Sequence, residues 1–312
     1  MWMKIFYEIE KKMLRRYSHE TSEQSQVFVI GLPRSGTTLF YQLLLNYFNW
    51  SYFTTWTHSC FRFPVTAYKI QHLIFPKPKY FEYKSDYGKM QDPSYLAKPW
   101  RPVEGNRIWQ RWFPGEQTHC YRGSLSSAVR EEMLSTITAF TAISGHPFLS
   151  KTPRNSVRLL TLSEVFPKAL FVVVKRDSLY VAQSLYTTRL RRRSGKKHRH
   201  NGWWGTKPNE FVYLKHLDPL RQSIGQTIAL DRELSAQLAI CKNSYIEIKY
   251  GDFCENPRMV LDLIQETCLK NDIRIQRIRD VEPAPFKSED KRKVSEKEFN
   301  TMKGLLNQDG FW

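Results

Sequence analysis

The 312-residue sequence is short of cysteine and has no arrangement of cysteines that suggests a cross-link or a metal site. Its cysteines are odd in number, widely spaced and without a C-x-x-C pair: Cys60, Cys120, Cys241, Cys254 and Cys268. A disulfide framework or a structural zinc site needs paired or clustered cysteines. The pattern therefore predicts a protein with neither, in a reducing compartment that we take to be the cytoplasm.

Long hydrophobic segments and low-complexity stretches are also lacking. The longest apolar runs, residues 27–30 and 169–174, fall far short of the roughly 20 residues that span a bilayer. Residues 1–20 lack the apolar core of a secretory signal, so we expect the mature chain to begin near Met1. With 14 glycines, 16 prolines and 41% hydrophobic residues, the composition excludes collagen-like and largely disordered chains.

Acidic residues are missing from residues 178–209, although the same stretch is rich in lysine and arginine. The whole chain carries a formal charge of +18. Such a surface attracts anions, so nucleic acid, an anionic membrane surface and a small polyanionic ligand all fit it. The basic run at 189–200 is interpreted either as a solvated face or as a peripheral contact with an anionic membrane or an acidic acceptor.

Short apolar runs alternate with amphipathic segments along the chain. Strands are predicted at 26–31, 146–150, 170–174 and 245–249, and helices at 38–47, 125–143, 224–240 and 259–269. Asn155 and Ser178 are expected to cap two further helices. Residues 52–120, rich in aromatic residues, are interpreted as loops and short helices. The alternation predicts an α/β fold: a doubly wound, mainly parallel central sheet with helices on both faces.

A glycine-containing loop joins the first predicted strand to its helix. The segment Gly31-Leu-Pro-Arg-Ser-Gly-Thr-Thr38 has the spacing of the phosphate loop G-x-x-x-x-G-K-[ST], but Thr37 stands at the lysine position and Arg34 supplies the cation. Backbone N–H groups and the positive end of a helix converge at such a turn, which favours an anion. The predicted anion-binding residues are Pro33, Arg34, Ser35, Gly36, Thr37 and Thr38.

A second basic group follows the strand predicted at 170–174. Arg176 emerges where that strand ends, at the edge where doubly wound folds bind ligands, and Ser184 follows eight residues later on the next helix. The two side chains together form a candidate phosphate site. The sequence equally allows Arg176 to be the salt-bridge partner of Asp177.

Several segments together resemble a known family. The runs V-F-V-I-G-L-P-R-S-G-T-T from Val27 and V-V-V-K-R-D-S-L-Y-V-A-Q-S ending at Ser184 resemble the donor-binding segments of sulfotransferases that use 3′-phosphoadenosine 5′-phosphosulfate (PAPS). Segments 151–155 (K-T-P-R-N), 203–208 (W-W-G-T-K-P) and 250–257 (Y-G-D-F-C-E-N-P) are similar to further motifs of these enzymes, including bacterial members. Departures from the family pattern occur at Ser150, Ser178 and Gly251.

The resemblance implies a single sulfotransferase-like domain over 1–312 with a P-loop-like strand–loop–helix unit. Within it we expect an N-terminal extension at 1–25, an acceptor-side insertion at 52–147 and a polar C-terminal tail at 270–312. It also implies PAPS as the sulfuryl donor, adenosine 3′,5′-bisphosphate (PAP) as the product and no required metal.

The resemblance further implies roles for individual residues. Arg34 and the loop amides would bind the 5′-phosphosulfate, and Arg176 with Ser184 would hold the 3′-phosphate. Lys151 would neutralise the bridging oxygen or orient the sulfuryl group.

An acceptor hydroxyl needs a general base, for which Glu104 and His58 are the two candidates. The acceptor class remains open among carbohydrate, lipid and small molecule, no specific nucleic acid is expected as a partner, and the oligomeric state is open. Two alternatives remain: a P-loop-type phosphotransferase using ATP, suggested by the loop spacing, and a basic polyanion-binding module, suggested by the charge.

Overall fold

A computed structural model describes residues 2–18, 26–81, 98–113, 119–193 and 203–307 of the chain. Four strands form its sheet: β1 (Gln26–Ile30), β2 (Phe148–Lys151), β3 (Leu170–Lys175) and β4 (Tyr245–Lys249). They lie in the order β2-β1-β3-β4, and each neighbouring pair is parallel. The register sets Val29 opposite Lys151 and Val27 opposite Leu170.

Helices occupy most of the remaining described chain. In chain order they are α1 (Trp2–Ser18), α2 (Thr37–Tyr47), α3 (Thr55–Ser59), α4 (Pro64–Ile74), α5 (Asn106–Trp112), α6 (Ser127–Ser144), α7 (Leu159–Val165), α8 (Ser178–Arg193), α9 (Phe211–Leu214), α10 (Pro219–Ile240), α11 (Tyr250–Glu255), α12 (Pro257–Lys270) and α13 (Glu296–Leu306). A 3₁₀ turn, Pro153–Val157, precedes α7. No helix of the described ranges is long and apolar enough to cross a membrane.

The sheet is buried on both faces. Phe28 and Ile30 of β1 point into a cluster shared with α6, α7, α8 and α10, whereas Val27 and Val29 point into a second cluster shared with α2 and α12. Residues alternate in this way because successive side chains of a strand face opposite sides of the sheet. The predicted fold class, a parallel α/β sheet with helices on both faces, is confirmed.

The central position of β1 creates a crevice at the carboxyl edge of the sheet. From β1 the chain moves to β2 on one side, and then crosses to β3 on the other. The helices that follow β1 and β3, α2 and α8, pack on opposite faces. Doubly wound folds bind ligands where the strand order reverses in this way, so a ligand site is expected at the carboxyl ends of β1 and β3.

Two helix starts differ from the sequence prediction. Asn155 lies inside the 3₁₀ turn, where its carbonyl accepts from Arg158 N, and α7 begins later. Ser178 is the first residue of α8 and not its cap, because Asp177 Oδ1 accepts from Leu179 N at 2.8 Å. A carboxylate is a strong acceptor near the positive end of a helix, which explains why Asp177 takes this position.

Both terminal segments are packed against the central structure. Helix α1 lies against α4 and α6, and the buried Glu10 carboxylate accepts hydrogen bonds from Val65 N and Thr66 N at the start of α4. Helix α13 packs on α8 and α10, and Tyr186 on α8 donates to Glu298 at 2.6 Å. The tail predicted as polar therefore contains a docked helix.

Candidate functional site

The loop after β1 is shaped by two glycines with positive φ. Gly31 has φ +151°, and a Cβ there would lie 2.6 Å from the Val174 carbonyl oxygen of β3. Gly36 has φ +94°, and a Cβ there would lie 2.5 Å from the Tyr250 ring. Both positions therefore need glycine, for conformation and for space.

Arg34 also adopts a left-handed conformation, with φ 76°, although it has a side chain. Such a conformation costs about 1 kcal/mol or more and persists where tertiary contacts hold it. Arg176 provides one such contact, because its Nη1 donates to the Arg34 carbonyl oxygen at 2.8 Å. Ser156 pins the start of the loop: its Oγ accepts from Gly31 N at 3.0 Å and donates to the Gly31 carbonyl at 2.8 Å.

The structure brings Arg34, Arg176 and Ser184 into one cluster. The Arg34 side chain crosses the crevice, and its Nε donates to Ser184 Oγ at 2.8 Å. Ser184 lies on α8, which follows β3, whereas Arg34 follows β1. The two predicted anion segments thus meet at the switch point of the sheet.

The salt-bridge partner of Arg176 is Asp290, not Asp177. Arg176 Nε donates to Asp290 Oδ1 at 2.7 Å, and the guanidinium lies over the Tyr250 ring, 4.5 Å from its centroid. The Arg176 side chain is only 7% exposed. Sequence reasoning missed Asp290, because it lies 114 residues from Arg176 and has no local signal.

The C-terminal segment that carries Asp290 is held at several points. Tyr250 Oη accepts from Glu289 N at 3.2 Å. On the other side, the buried Gln183 side chain donates to the Lys291 carbonyl at 2.9 Å and accepts from Lys293 N at 2.7 Å. Residues 286–293, which we call the tail strip, therefore form a third wall of the crevice beside the Arg34–Arg176–Ser184 cluster.

The loop and its surroundings fit a phosphate-type ligand. Helix α2 begins at Thr37, and the first N–H groups of a helix have no partner within it. Ser35 Oγ is buried without a hydrogen-bond partner among the described residues. A buried hydroxyl usually has a partner, so an acceptor from a ligand would complete this site.

A second cluster, the buried ion pair Lys151–Glu104, lies at the same edge of the sheet. Lys151 ends β2, next to β1, and its Nζ lies 2.6 Å from Glu104 Oε1. Lys151 is 2% exposed and Glu104 is 30% exposed. Glu104 Oε2 also accepts from Asn106 Nδ2 at 3.1 Å. The Lys151 side chain is therefore enclosed, whereas part of the Glu104 side chain is exposed and both of its carboxylate oxygens are hydrogen-bonded.

The electrostatics of Glu104 follow from this pairing. Burial acts to raise the pKa of its carboxyl, but the charge and hydrogen bond of Lys151, with the hydrogen bond of Asn106, outweigh it and hold that pKa below its ordinary value. Glu104 is thus an ionised acceptor at neutral pH.

Backbone contacts on either side position Glu104. Val103 N donates to the Phe53 carbonyl at 3.0 Å. Gly105 has φ +68°, and a Cβ there would overlap the Phe53 ring, so the position needs glycine. Phe53 is itself buried against Trp109.

The structure does not bring His58 into this pair. His58 lies on α3, where burial, followed by the positive charge of Arg107, lowers the pKa of its imidazole. Its Nδ1 is buried without a partner in the described part of the chain, and no hydrogen bond there joins it to Lys151 or Glu104. His58 is therefore a neutral imidazole beside a basic residue.

Arg189, the first residue of the basic run at 189–200, is not part of an exposed basic surface. Arg189 is fully buried and donates to Ser223 Oγ at 2.7 Å and Gln226 Oε1 at 2.6 Å, so it cannot meet an external partner. Residues 194–200 lie outside the described ranges. Gln226 also donates to the carbonyls of Trp204 and Thr206, which holds that segment near the phosphate loop.

The family of the protein follows from comparison with known sequences. A model of the sulfotransferase family matches residues 26–269, more than half of the chain. The matched range includes the loop after β1, Lys151, Arg176 and Ser184 and ends before the tail strip. The chain therefore belongs to the sulfotransferase family, and this membership favours a sulfotransferase over the ATP-dependent phosphotransferase and the polyanion-binding module.

Among solved structures, the chain is similar to sulfotransferase STF9 from Mycobacterium avium, with 17% identity and a TM-score of 0.48, over 95% of this chain and 74% of that chain. It is also similar to sulfotransferase STF1 from Mycobacterium tuberculosis, with 15% identity and a TM-score of 0.42, over 82% of this chain and 71% of that chain. A search of curated proteins found no match.

Proposed function

We propose that this protein transfers a sulfuryl group from PAPS to the hydroxyl of an acceptor. One observation carries the proposal. Arg34, Arg176 and Ser184, which come from two separate strand–turn–helix units, are joined by hydrogen bonds in the crevice between β1 and β3. A nucleotide with phosphate groups at two positions of its ribose would suit such a site.

The proposed donor site has two adjoining parts. The amides at the start of α2, Ser35 Oγ and the Arg34 guanidinium would bind the 5′-phosphosulfate. Arg176 and Ser184 would bind the 3′-phosphate. Because Arg34 and Ser184 are hydrogen-bonded, the two parts of the proposed site adjoin each other.

Lys151 and Glu104 are the proposed catalytic pair. Sulfuryl transfer needs positive charge near the oxygen that gains negative charge, and Lys151 supplies it at the edge of the sheet beside the phosphate loop. When bound, PAPS supplies the activated sulfate. Glu104 would accept the proton of the acceptor hydroxyl, and any movement of Lys151 towards a bound anion would raise the proton affinity of this carboxylate. His58 is the second candidate base.

The acceptor is proposed to be a hydroxyl compound, whether carbohydrate, lipid or small molecule, that approaches from the side of segment 52–147. The protein is proposed to act in the cytoplasm without a metal and without binding a specific nucleic acid. A peripheral contact with an anionic membrane or an acidic acceptor is proposed for the exposed part of the basic run, which includes Arg191 and Arg192.

Titration calorimetry with PAP in the presence of EDTA tests the donor. We expect saturable binding of one nucleotide per chain, and weaker binding of ATP whether or not magnesium is added. Failure of folded protein to bind PAP would refute the proposal. Mass spectrometry of an acceptor panel incubated with PAPS, looking for the gain of one sulfuryl group, then identifies the acceptor class.

A further inference from the structure

The Arg176 guanidinium, which is proposed to hold the 3′-phosphate, is already paired with a carboxylate of the same chain. Arg176 Nε donates to Asp290 Oδ1 at 2.7 Å, and Asp290 is 24% exposed. Asp290 lies beyond residue 269, where the family match ends. The inference concerns this residue and rests on the proposed function.

The position of Asp290 is imposed by the tail strip and not by chance contact of a long side chain. Its neighbours in sequence are tied down by their backbones: Glu289 N to Tyr250 Oη, and the Lys291 carbonyl to Gln183 Nε2. At the start of the strip, Phe286 N donates to the Cys254 carbonyl at 2.8 Å. The short aspartate side chain is thus delivered to Arg176 by its main chain.

The remaining donors of Arg176 determine what else it can hold. A guanidinium has five N–H donors. One, on Nε, goes to Asp290, and one, on Nη1, goes to the Arg34 carbonyl. The remaining N–H donors of Arg176 can bind a phosphate. An anion bound to them would lie within a few ångströms of the Asp290 carboxylate.

Charge repulsion at this distance is substantial because the site is shielded from water. Arg176 is 7% exposed, so screening by solvent is weak around it. Two like unit charges about 4 Å apart weaken binding by roughly fivefold in bulk water and by roughly a thousandfold at the lower effective dielectric near a protein surface, so we expect a loss of at least roughly tenfold in affinity here. Asp290 and a phosphate therefore compete for the same positive charge.

We propose that Asp290 is an affinity-determining residue of the donor site: an internal anion that opposes the 3′-phosphate at Arg176 and so keeps binding of the 3′-phosphorylated nucleotide weak enough for exchange. The opposite role is that Asp290 orients Arg176 and thereby strengthens binding. The two roles predict changes of opposite sign when the charge of Asp290 is removed and its hydrogen-bond acceptor is kept.

The test is calorimetric titration of PAP into wild-type protein and the Asp290→Asn variant. Asparagine keeps an oxygen that can accept from Arg176 Nε but carries no charge. We expect the variant to bind PAP at least roughly tenfold more tightly. Its affinity for adenosine 5′-monophosphate, which lacks the 3′-phosphate, should change less than about twofold. Asp290→Ser, which removes the carboxylate by a different side chain, should also tighten PAP binding and leave the affinity for adenosine 5′-monophosphate nearly unchanged.

Asp262→Asn is the matched control. Asp262 is also an aspartate paired with arginine, accepting from Arg258 Nε and Arg277 Nη2, but it lies on α12 away from the crevice. This variant should bind PAP like the wild type. Thermal unfolding of each variant checks that it folds.

The outcomes separate this proposal from the proposed function. If wild-type protein binds PAP and Asp290→Asn binds it equally or less tightly, the competitive role of Asp290 is wrong and the donor site stands. If wild-type protein does not bind PAP, the proposed function fails as well. Tighter binding of both nucleotides by the same factor would also contradict the proposal, because the effect would not then lie at the 3′-phosphate.

Discussion

The carboxyl edge of the sheet has two parts, one between β1 and β3 and one beside β2, and they are built from different kinds of segment. On the proposed donor side, between β1 and β3, Arg34 and Arg176 lie in turns that directly follow strands, and the first amides of α2 lie in the same turn as Arg34. On the acceptor side, beside β2, the ion pair joins a strand residue, Lys151, to Glu104 in an irregular aromatic segment. Strand ends are positioned by the sheet itself, whereas Glu104 depends on the packing of Phe53 and Gly105.

This difference predicts how each half responds to substitution. The donor side has distributed contacts, so loss of one side chain leaves the amides and the other cation in place. The acceptor side concentrates its charge in one buried pair, and breaking such a pair leaves an uncompensated charge. We therefore expect the larger losses of activity on the acceptor side.

Lys151→Ala should produce the largest effect. This substitution removes the buried cation at the end of β2. We expect kcat/KM for sulfuryl transfer to fall on the order of 10²- to 10³-fold, measured with an acceptor that mass spectrometry has identified. PAP affinity should change much less. Lys175→Ala is the control, since Lys175 also ends a strand and pairs with carboxylates, Asp231 and Glu247, but is 27% exposed. Equal losses in both variants would contradict the role of Lys151.

Arg34→Ala should have the next largest effect, and on a different quantity. It removes a charge-assisted contact from the phosphate loop, and we expect PAP affinity to fall about 10- to 100-fold, as measured by calorimetry. Arg258→Ala, which removes an exposed arginine of α12, should leave the affinity unchanged. An unaltered affinity in Arg34→Ala would remove this residue from the donor site.

Gly36→Ala tests whether the backbone shapes the donor side. Its Cβ would meet the Tyr250 ring at 2.5 Å in addition to the strain of φ +94°. Gly145→Ala is the matched control, because Gly145 has φ +71° but open space around its Cβ position. We expect both to lower the free energy of unfolding by about 1 kcal/mol for conformation, with a further 1 to 3 kcal/mol for Gly36→Ala. If chemical denaturation shows the same decrease in the free energy of unfolding for both variants, the Tyr250 ring moves aside without an energetic penalty.

The pH dependence of Glu104 gives the smallest expected effect. Its pKa is lowered in the folded state, so its contribution to stability is fully present above the ordinary value of 4.5 and is lost as the pH falls through the folded-state pKa. Glu104→Gln should therefore be less stable than wild type at pH 7, by about 1 to 3 kcal/mol, and the difference should shrink below about pH 4.5. A difference that does not vary with pH would contradict the ion pair.

Much of the donor side was predictable because its signals are local. The strand at 26–31, the glycine spacing and the arginine after the third predicted strand all lie within short segments, and parallel strands place their ends at one edge. The partner of Arg176 was not predictable in this way. Asp290 lies in the non-helical segment between α12 and α13, and it meets Arg176 only because Tyr250 and Gln183 dock the tail strip. Asp177 instead caps α8.

The amino-acid pattern by itself determined the α/β class, the phosphate loop and Arg176 as a candidate anion-binding residue, because hydrophobic periodicity and turn chemistry act between near neighbours in the chain. The role expected of Lys151 came from the family resemblance. Tertiary structure alone decided that Arg34 reaches Ser184, that Lys151 is buried against Glu104 and that Asp290 pairs with Arg176. These pairings depend on distances between remote segments, and such distances are set by the packing of helices and aromatic side chains on the two faces of the sheet.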